Sequence, residues 1–488
     1  MVKKEQLFAL IKSLTKAEKR YFKLFASVNS TDANYILLFD AIDAQDVYDE
    51  KEIKEKYKGK KFTKQLHVTK NYLNKLILKS LRNYHSKISS DTELKDLLRE
   101  IEILYRKELF EQCRDTISKA ETLAENFENQ TSLIELYNWK RKILLTKGSS
   151  FGNQNKLNAI INDEKEIIEN LFCYNSYWNY TINVFDFFDK GKKELNKLLK
   201  DPLINDEKNA KILQSKILFY HLKYSLAIAR NKDNEALNSL TLLIELIEKK
   251  PIRIKDDPHS YITALNNKIG MLLNLKKYDL IPELLSKVRE VPQKYKLKDE
   301  SKITFKLLLR TYNVELEMYR DTENIKHGIK LIDEIVKFVK INYDSIPPDY
   351  KSLLFYQFAY IYFLDKNFSQ SLIWTNKIIS YEIGRGREDI ESYARFLNLI
   401  IHFELNNIYV LRYAVEATRR FLKKKRELKD FEKVLLKFFS RLSTQHHEKH
   451  KALFVCLNKD IFADTTPAQK ENILDYLNFT KWIESKII

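Results

Sequence analysis

The sequence predicts an all-α protein, on three observations. Apolar residues recur at helical spacing along nearly all of the 488 residues, and strict alternation never lasts long. Glycine and proline together number only 16, where average usage would give roughly 60; tight β-reversals need such residues to reach their dihedrals. Capping boxes, in which a hydroxyl or amide side chain accepts a backbone N–H while a Glu or Gln reaches back, mark helix starts at Thr15–Glu18, Ser90–Glu93, Ser132–Glu135 and Asn367–Gln370. Pro202, Pro251, Pro292 and the pair Pro347–Pro348 follow amphipathic segments and are placed between helices. With 44% hydrophobic and 12% aromatic residues the chain buries a substantial core, which excludes collagen-like, disulfide-stapled and Gly/Ser-rich disordered classes.

The first element is a basic helical head over residues 1–88, with helices expected at 15–28, 33–44, 50–57 and 62–85. It holds 19 Lys/Arg against 10 Asp/Glu, and residues 51–87 alone hold 12 against 2. Half of the net charge of +18 therefore lies in under a fifth of the chain and favours anionic partners. On the last of these helices Phe62, Leu66, Leu73, Ile77 and Tyr84 share one side. Lys64, Asn71, Lys75, Lys79 and Arg82 line the opposite side, an arrangement suited to a duplex groove or a phosphate track. A Lys-rich helix solvated on its outer face would show the same pattern.

From 92 to 427 the chain reads as an array of helix pairs. The second helix of each pair opens after a short polar turn on an anchor residue, often with a small residue three positions later: Phe110 with Cys113, Asp233 with Ala236, Tyr278 with Ile281, Ile325 with Gly328, Phe368 with Ser371. Leu157, Lys193 and Ile408 complete a series whose mean spacing is near 43 residues. Phe355, Phe358, Ala359 and Tyr362, followed by Phe368 and Ser371, form its best unit.

This unit resembles the tetratricopeptide-repeat (TPR) family. Phe355 stands at the family's Trp position, Phe358 at its Leu, Ala359 at its Gly and Tyr362 at its Tyr; Phe368 and Ser371 take the aromatic and Ala positions of the second helix. The family repeat is 34 residues, shorter than these units, and Ile281, Ile160 and Asn196 break the small-residue rule. The resemblance implies a TPR-like helix-pair solenoid with longer helices, whose concave face takes an extended protein or peptide segment. Asn183, His221, Asn267, Asn313, Gln357 and Asn398, near the middle of successive first helices, would line that groove, with Arg310 and Arg395 close by.

Residues 428–488 are expected to hold two or three helices capping the array. Just before them, Arg419, Arg420, Lys423, Lys424, Lys425 and Arg426 place six cations in eight residues, a second surface for phosphate or an acidic partner. Some of these cations also complement a helix C-terminus.

Chemistry is nearly absent from the sequence. His446 and His450 lie one helical turn apart, but His447 stands where a metalloprotease has Glu. Gly384 and Gly386 lack the strand–helix context of a nucleotide loop. No metal, cofactor or catalytic residue is assigned. Cys113, Cys173 and Cys456 are too few and scattered for a disulfide framework. No apolar run is long enough to span a bilayer, Leu353–Leu364 being short and interrupted by Gln357. The opening Met1–Gln6 shows no apolar leader stretch, so the expectation is a cytoplasmic protein. The function expected is a non-catalytic scaffold binding a protein partner in its concave face, with the head as second contact; the alternative is a regulator binding nucleic acid through the head and the late cluster.

Overall fold

The computed structural model describes residues 4–29, 34–86, 88–146, 154–189, 198–297, 300–380, 387–461, 463, 470, 473–474 and 476–487. Among these the chain is all-α, with helices, short 3₁₀ turns and no strand. It divides into two compact units, Met1–Tyr261 and Ile262–Ile488.

The first unit opens with the head: α1 (Lys4–Ser13), α2 (Lys16–Asn29), α3 (Asn34–Asp43), α4 (Glu50–Lys56), α5 (Lys61–Lys64) and α6 (Leu66–Tyr84). The Thr15–Glu18 box starts α2, with Thr15 N–H donating to Glu18 at 2.7 Å and Glu18 N–H to Thr15 Oγ1 at 3.2 Å. Leu7, Ile11, Phe22, Phe39, Ile42, Leu73 and Ile77 close a core of their own. The continuous helix expected over 62–85 is interrupted, because Gln65 leaves helical geometry (φ −124°, ψ 44°). The head is followed by α7 (Ser90–Arg106), α8 (Phe110–Asn126), α9 (Gln130–Thr146), the 36-residue α10 (Gln154–Asp189), α11 (Pro202–Asn205), α12 (Leu213–Ala229), α13 (Asp233–Glu248) and α14 (Pro251–Asp256).

The boundary between the units falls within α15 (Pro258–Asn274). The second unit continues with α16 (Ile281–Lys294), α17 (Glu300–Asp321), α18 (Ile325–Asn342), α19 (Pro348–Leu364), α20 (Phe368–Ile379), α21 (Glu388–Glu404), α22 (Ile408–Lys425), α23 (Asp430–Leu442), α24 (His450–Asp460) and α25 (Thr480–Ile487). One hydrophobic core runs from Leu309 to Ile483.

Many neighbouring helices pack on one another, and one turn type joins eight of the pairs. Glu108, Glu128, Asn231, Lys276, Lys296, Glu323, Lys366 and Asn406 all have φ between 49° and 60°. In each case the following N–H reaches back five residues to a helix carbonyl, as in Leu109 to Leu104 (3.0 Å), Asn367 to Tyr362 (2.9 Å) and Asn407 to His402 (2.9 Å). This is the left-handed helix stop usually given to glycine, built here from Glu, Lys and Asn. Six of these residues lie two positions before the anchors Phe110, Asp233, Tyr278, Ile325, Phe368 and Ile408. Leu157 is no anchor, since it lies inside α10; Lys193 lies outside the described residues.

The small positions do what their size allows. Ser371 is fully buried and its hydroxyl donates to the Ala359 carbonyl at 2.6 Å across α19 and α20. Cys113 faces the Ile101 carbonyl at 3.6 Å across α7 and α8. A Cβ on Gly328 would meet Ile361 at 3.2 Å.

Three local expectations are corrected. The helix start at 90 is capped by Ser89, whose partner is Thr92, and not by a Ser90–Glu93 box. Ser90 instead donates N–H and hydroxyl to the Asp256 carboxylate at 2.8 and 2.7 Å. At α9 the cap is Asn129, which accepts the Ser132 N–H at 3.0 Å, so Ser132 is already inside the helix. Pro292 lies within α16, in its last turns, whereas Pro202, Pro251 and Pro348 begin helices, where a missing N–H does no harm.

Candidate functional site

The head builds its surface around α6. Leu66, Leu73, Leu76 and Ile77 face the head core. Two polar contacts fix the helix further. Lys70, buried on the same side, pairs with Glu50 of α4 at 2.7 Å, and His85 just past its end meets Glu18 at 2.7 Å. Hydrogen bonds from Lys70 and Lys54 hold the Glu50 carboxyl down at about 2, from an ordinary 4.5.

On the other side of α6, Lys75, Lys79 and Arg82 are exposed, and Lys64 is exposed at the end of α5. None of the four has a carboxylate partner among the described residues. Their fields therefore add outward instead of being cancelled in local pairs. Asn71 is half-buried beside them. Tyr72, at the same helical angle as Lys75 and Lys79, is half-exposed and stacks on Tyr35 with ring centroids 4.5 Å apart. The same helical angle that marks the cations in the sequence marks Tyr72 as their aromatic neighbour. Arg82 also borders a hollow of about 470 Å³ shared with Lys95, Arg99 and Glu102 of α7.

The late cluster is less free than its charge count implies. Arg426 grips the buried Glu432 with two hydrogen bonds of 2.9 and 2.7 Å. Lys425 pairs with Glu388, and Arg419 lies 3.7 Å from Glu416. Arg420, Lys423 and Lys424 are exposed with no carboxylate partner among the described residues.

Three of the residues expected to line a groove are enclosed instead. Gln357, Arg395 and Asn398 are buried and bound within the second unit. Gln357 accepts from Arg320 at 3.4 Å. Arg395 pairs with Glu391 at 2.8 Å while its guanidinium lies 4.2 Å from the centre of the Phe421 ring, and Asn398 donates to Asn376 at 3.3 Å. The reason is visible in α19, which is apolar on every side and so must be enclosed: Tyr356 donates to the Tyr476 carbonyl and Tyr360 accepts from Asn478 N–H, both at 2.8 Å. The chain's own C-terminal segment thus covers part of the helix that was expected to face a partner. Asn183 donates to the Asn179 side chain at 2.8 Å. His221 is half-buried, and burial pushes its imidazole pKa down. Asn267 and Asn313 are half-buried and Arg310 is exposed. Among the described residues no hydrogen bond joins one of these eight to another.

Among the described residues no group of three or more His, Cys, Asp or Glu is placed to hold a metal ion, and no helix is long and apolar enough to cross a membrane. What the arrangement offers chemically is charge and shape: an unpaired cationic helix face with an aromatic ring in it. No family model, no curated protein and no solved structure matches the chain.

Proposed function

We propose that this is a non-catalytic helical-hairpin binding protein, TPR-like in its paired helices, whose basic head engages nucleic acid through the outer face of α6. The observation that carries this reading is the set of Lys64, Lys75, Lys79 and Arg82, exposed together without carboxylate partners and accompanied by Tyr72. Four cations on a short track suit phosphates, and an accessible ring among them suits a base. Arg420, Lys423 and Lys424 would add a second phosphate contact. Binding of a protein segment along the first helices has weaker support, resting on Asn267, Arg310 and Asn313, because Gln357, Arg395 and Asn398 are already satisfied internally.

The test is binding of a labelled duplex and a labelled single strand at 50 and 200 mM salt. Four phosphate contacts should weaken affinity about 10²-fold over that range. The variant with Lys64→Glu, Lys75→Glu, Lys79→Glu and Arg82→Glu should lose retention while keeping its helical circular dichroism. Absence of retention by the unaltered protein at 50 mM salt sinks the reading.

A further inference from the structure

The longest helix carries a surface that the binding proposal does not use. Along α10, Ile161, Ile168 and Ile182 are 52%, 52% and 68% exposed, with Phe172 at 73% and Trp178 at 43% between them. A surface helix ordinarily turns such residues inward, and α10 does so on its other side, where Ile160, Ile167, Tyr177 and Val184 are buried. The helix is therefore apolar along two separate lines, only one of which its own unit covers.

The exposed line has a period. Ile161, Ile168, Asn175 and Ile182 follow one another at intervals of seven, and an ideal helix keeps such a series within about 60°. Seven-residue recurrence of branched apolar side chains is the pattern by which two helices form a shared seam. The one polar member, Asn175, is exposed and takes the place where a coiled coil uses a single Asn. There, paired across the axis, it fixes register and number of strands. Lys165 lies on the same face, where its aliphatic stem can cover the seam while its ammonium reaches water.

We infer that α10 is a self-association helix, and that its occupant is α10 of a second copy of this chain, parallel and in register, with Asn175 opposite Asn175. Isologous contact is the commonest mode of assembly. The five exposed apolar side chains offer roughly 600 Å² per copy, and the pair about 1,200 Å², which reaches the range specific interfaces bury. The inference rests on α10 alone and does not depend on nucleic-acid binding.

Sedimentation equilibrium of the full chain between 1 and 50 µM tests it. The expected result is a species of twice 58.2 kDa, shifted to monomer by Ile168→Glu with Phe172→Glu, a change of at least tenfold in the dissociation constant at unaltered helical content. A protein that stays monomeric at 50 µM overturns the inference, as does a dimer indifferent to these changes. Should the double variant fail to fold, Asn175→Cys in a Cys173→Ser, Cys456→Ser background gives an independent reading. Parallel pairing brings the two Cα atoms within disulfide reach, so mild oxidation should yield a covalent dimer. A dimer that does not cross-link overturns the parallel register.

Discussion

A residue other than glycine in the left-handed region is the recurring local device of this fold, and lysine fills three of its eight positions. At Lys366 (φ 60°) an L-residue is about 1–2 kcal/mol worse off than in a right-handed conformation. Glycine escapes that strain but adds roughly 0.5–1 kcal/mol of unfolded-state freedom. Lys366→Gly should therefore stabilise the second unit by about 0.5–1 kcal/mol, visible as a raised urea midpoint, and Lys366→Ile should lower it. A glycine variant less stable than the parent would show that the lysine side chain makes a contribution of its own. The same residue type explains the composition: reversals built from Glu, Lys and Asn let the protein turn repeatedly with very few glycines.

At the level of helices, α4 and α6 are locked by a single charge pair, and pH reads it. Glu50 sits at about 2 when folded against an ordinary 4.5, with hydrogen bonds from Lys70 and Lys54 as the main cause. A depressed carboxyl contributes fully above 4.5, and its contribution disappears as pH falls from 4.5 toward 2. The full shift would correspond to about 3 kcal/mol, and solvent beside this partly exposed pair screens it to about 1 kcal/mol. Glu50→Gln should flatten the acid side of the head's stability profile, measured as urea midpoints at pH 5 and pH 3; an acid slope equal to the parent's would remove Glu50 from that role. Helix starts of this kind were partly legible in the sequence. Phe110, Asp233, Ile325, Phe368 and Ile408 announce themselves because a polar turn and a small or apolar residue three positions on are local signals. Gln65, which breaks the helix expected over 62–85, carries no glycine or proline to mark it. The burial of Gln357 was written only indirectly, in the apolar run Leu353–Leu364 that holds it. A segment with no polar side must be covered by something, and no local pattern says that Tyr476 and Asn478, over a hundred residues later, do the covering.

Over the whole chain, the division into two compact units leads to the expectation of two unfolding events. Trp482 lies at the centre of an aromatic cluster in the second unit, its ring 5.1 Å from Phe454 and 6.0 Å from both Phe403 and Phe439, with Nε1–H donated to Glu404 at 2.6 Å. Trp482→Ala should cost that unit about 3–5 kcal/mol and shift one of two transitions in a denaturant titration, leaving the other in place. A single transition moving as one would contradict the division. The first unit has a different long-range tie, the grip of Asp256 on the start of α7 at Ser90, 166 residues earlier. At roughly 5–20 residues per second, that carboxylate leaves the ribosome some ten to thirty seconds after the serine it must meet. During this interval Ser89 already answers the Thr92 amide, but the Ser90 amide and hydroxyl have only water, so this unit completes itself late in synthesis, when its last turns arrive to fasten its beginning.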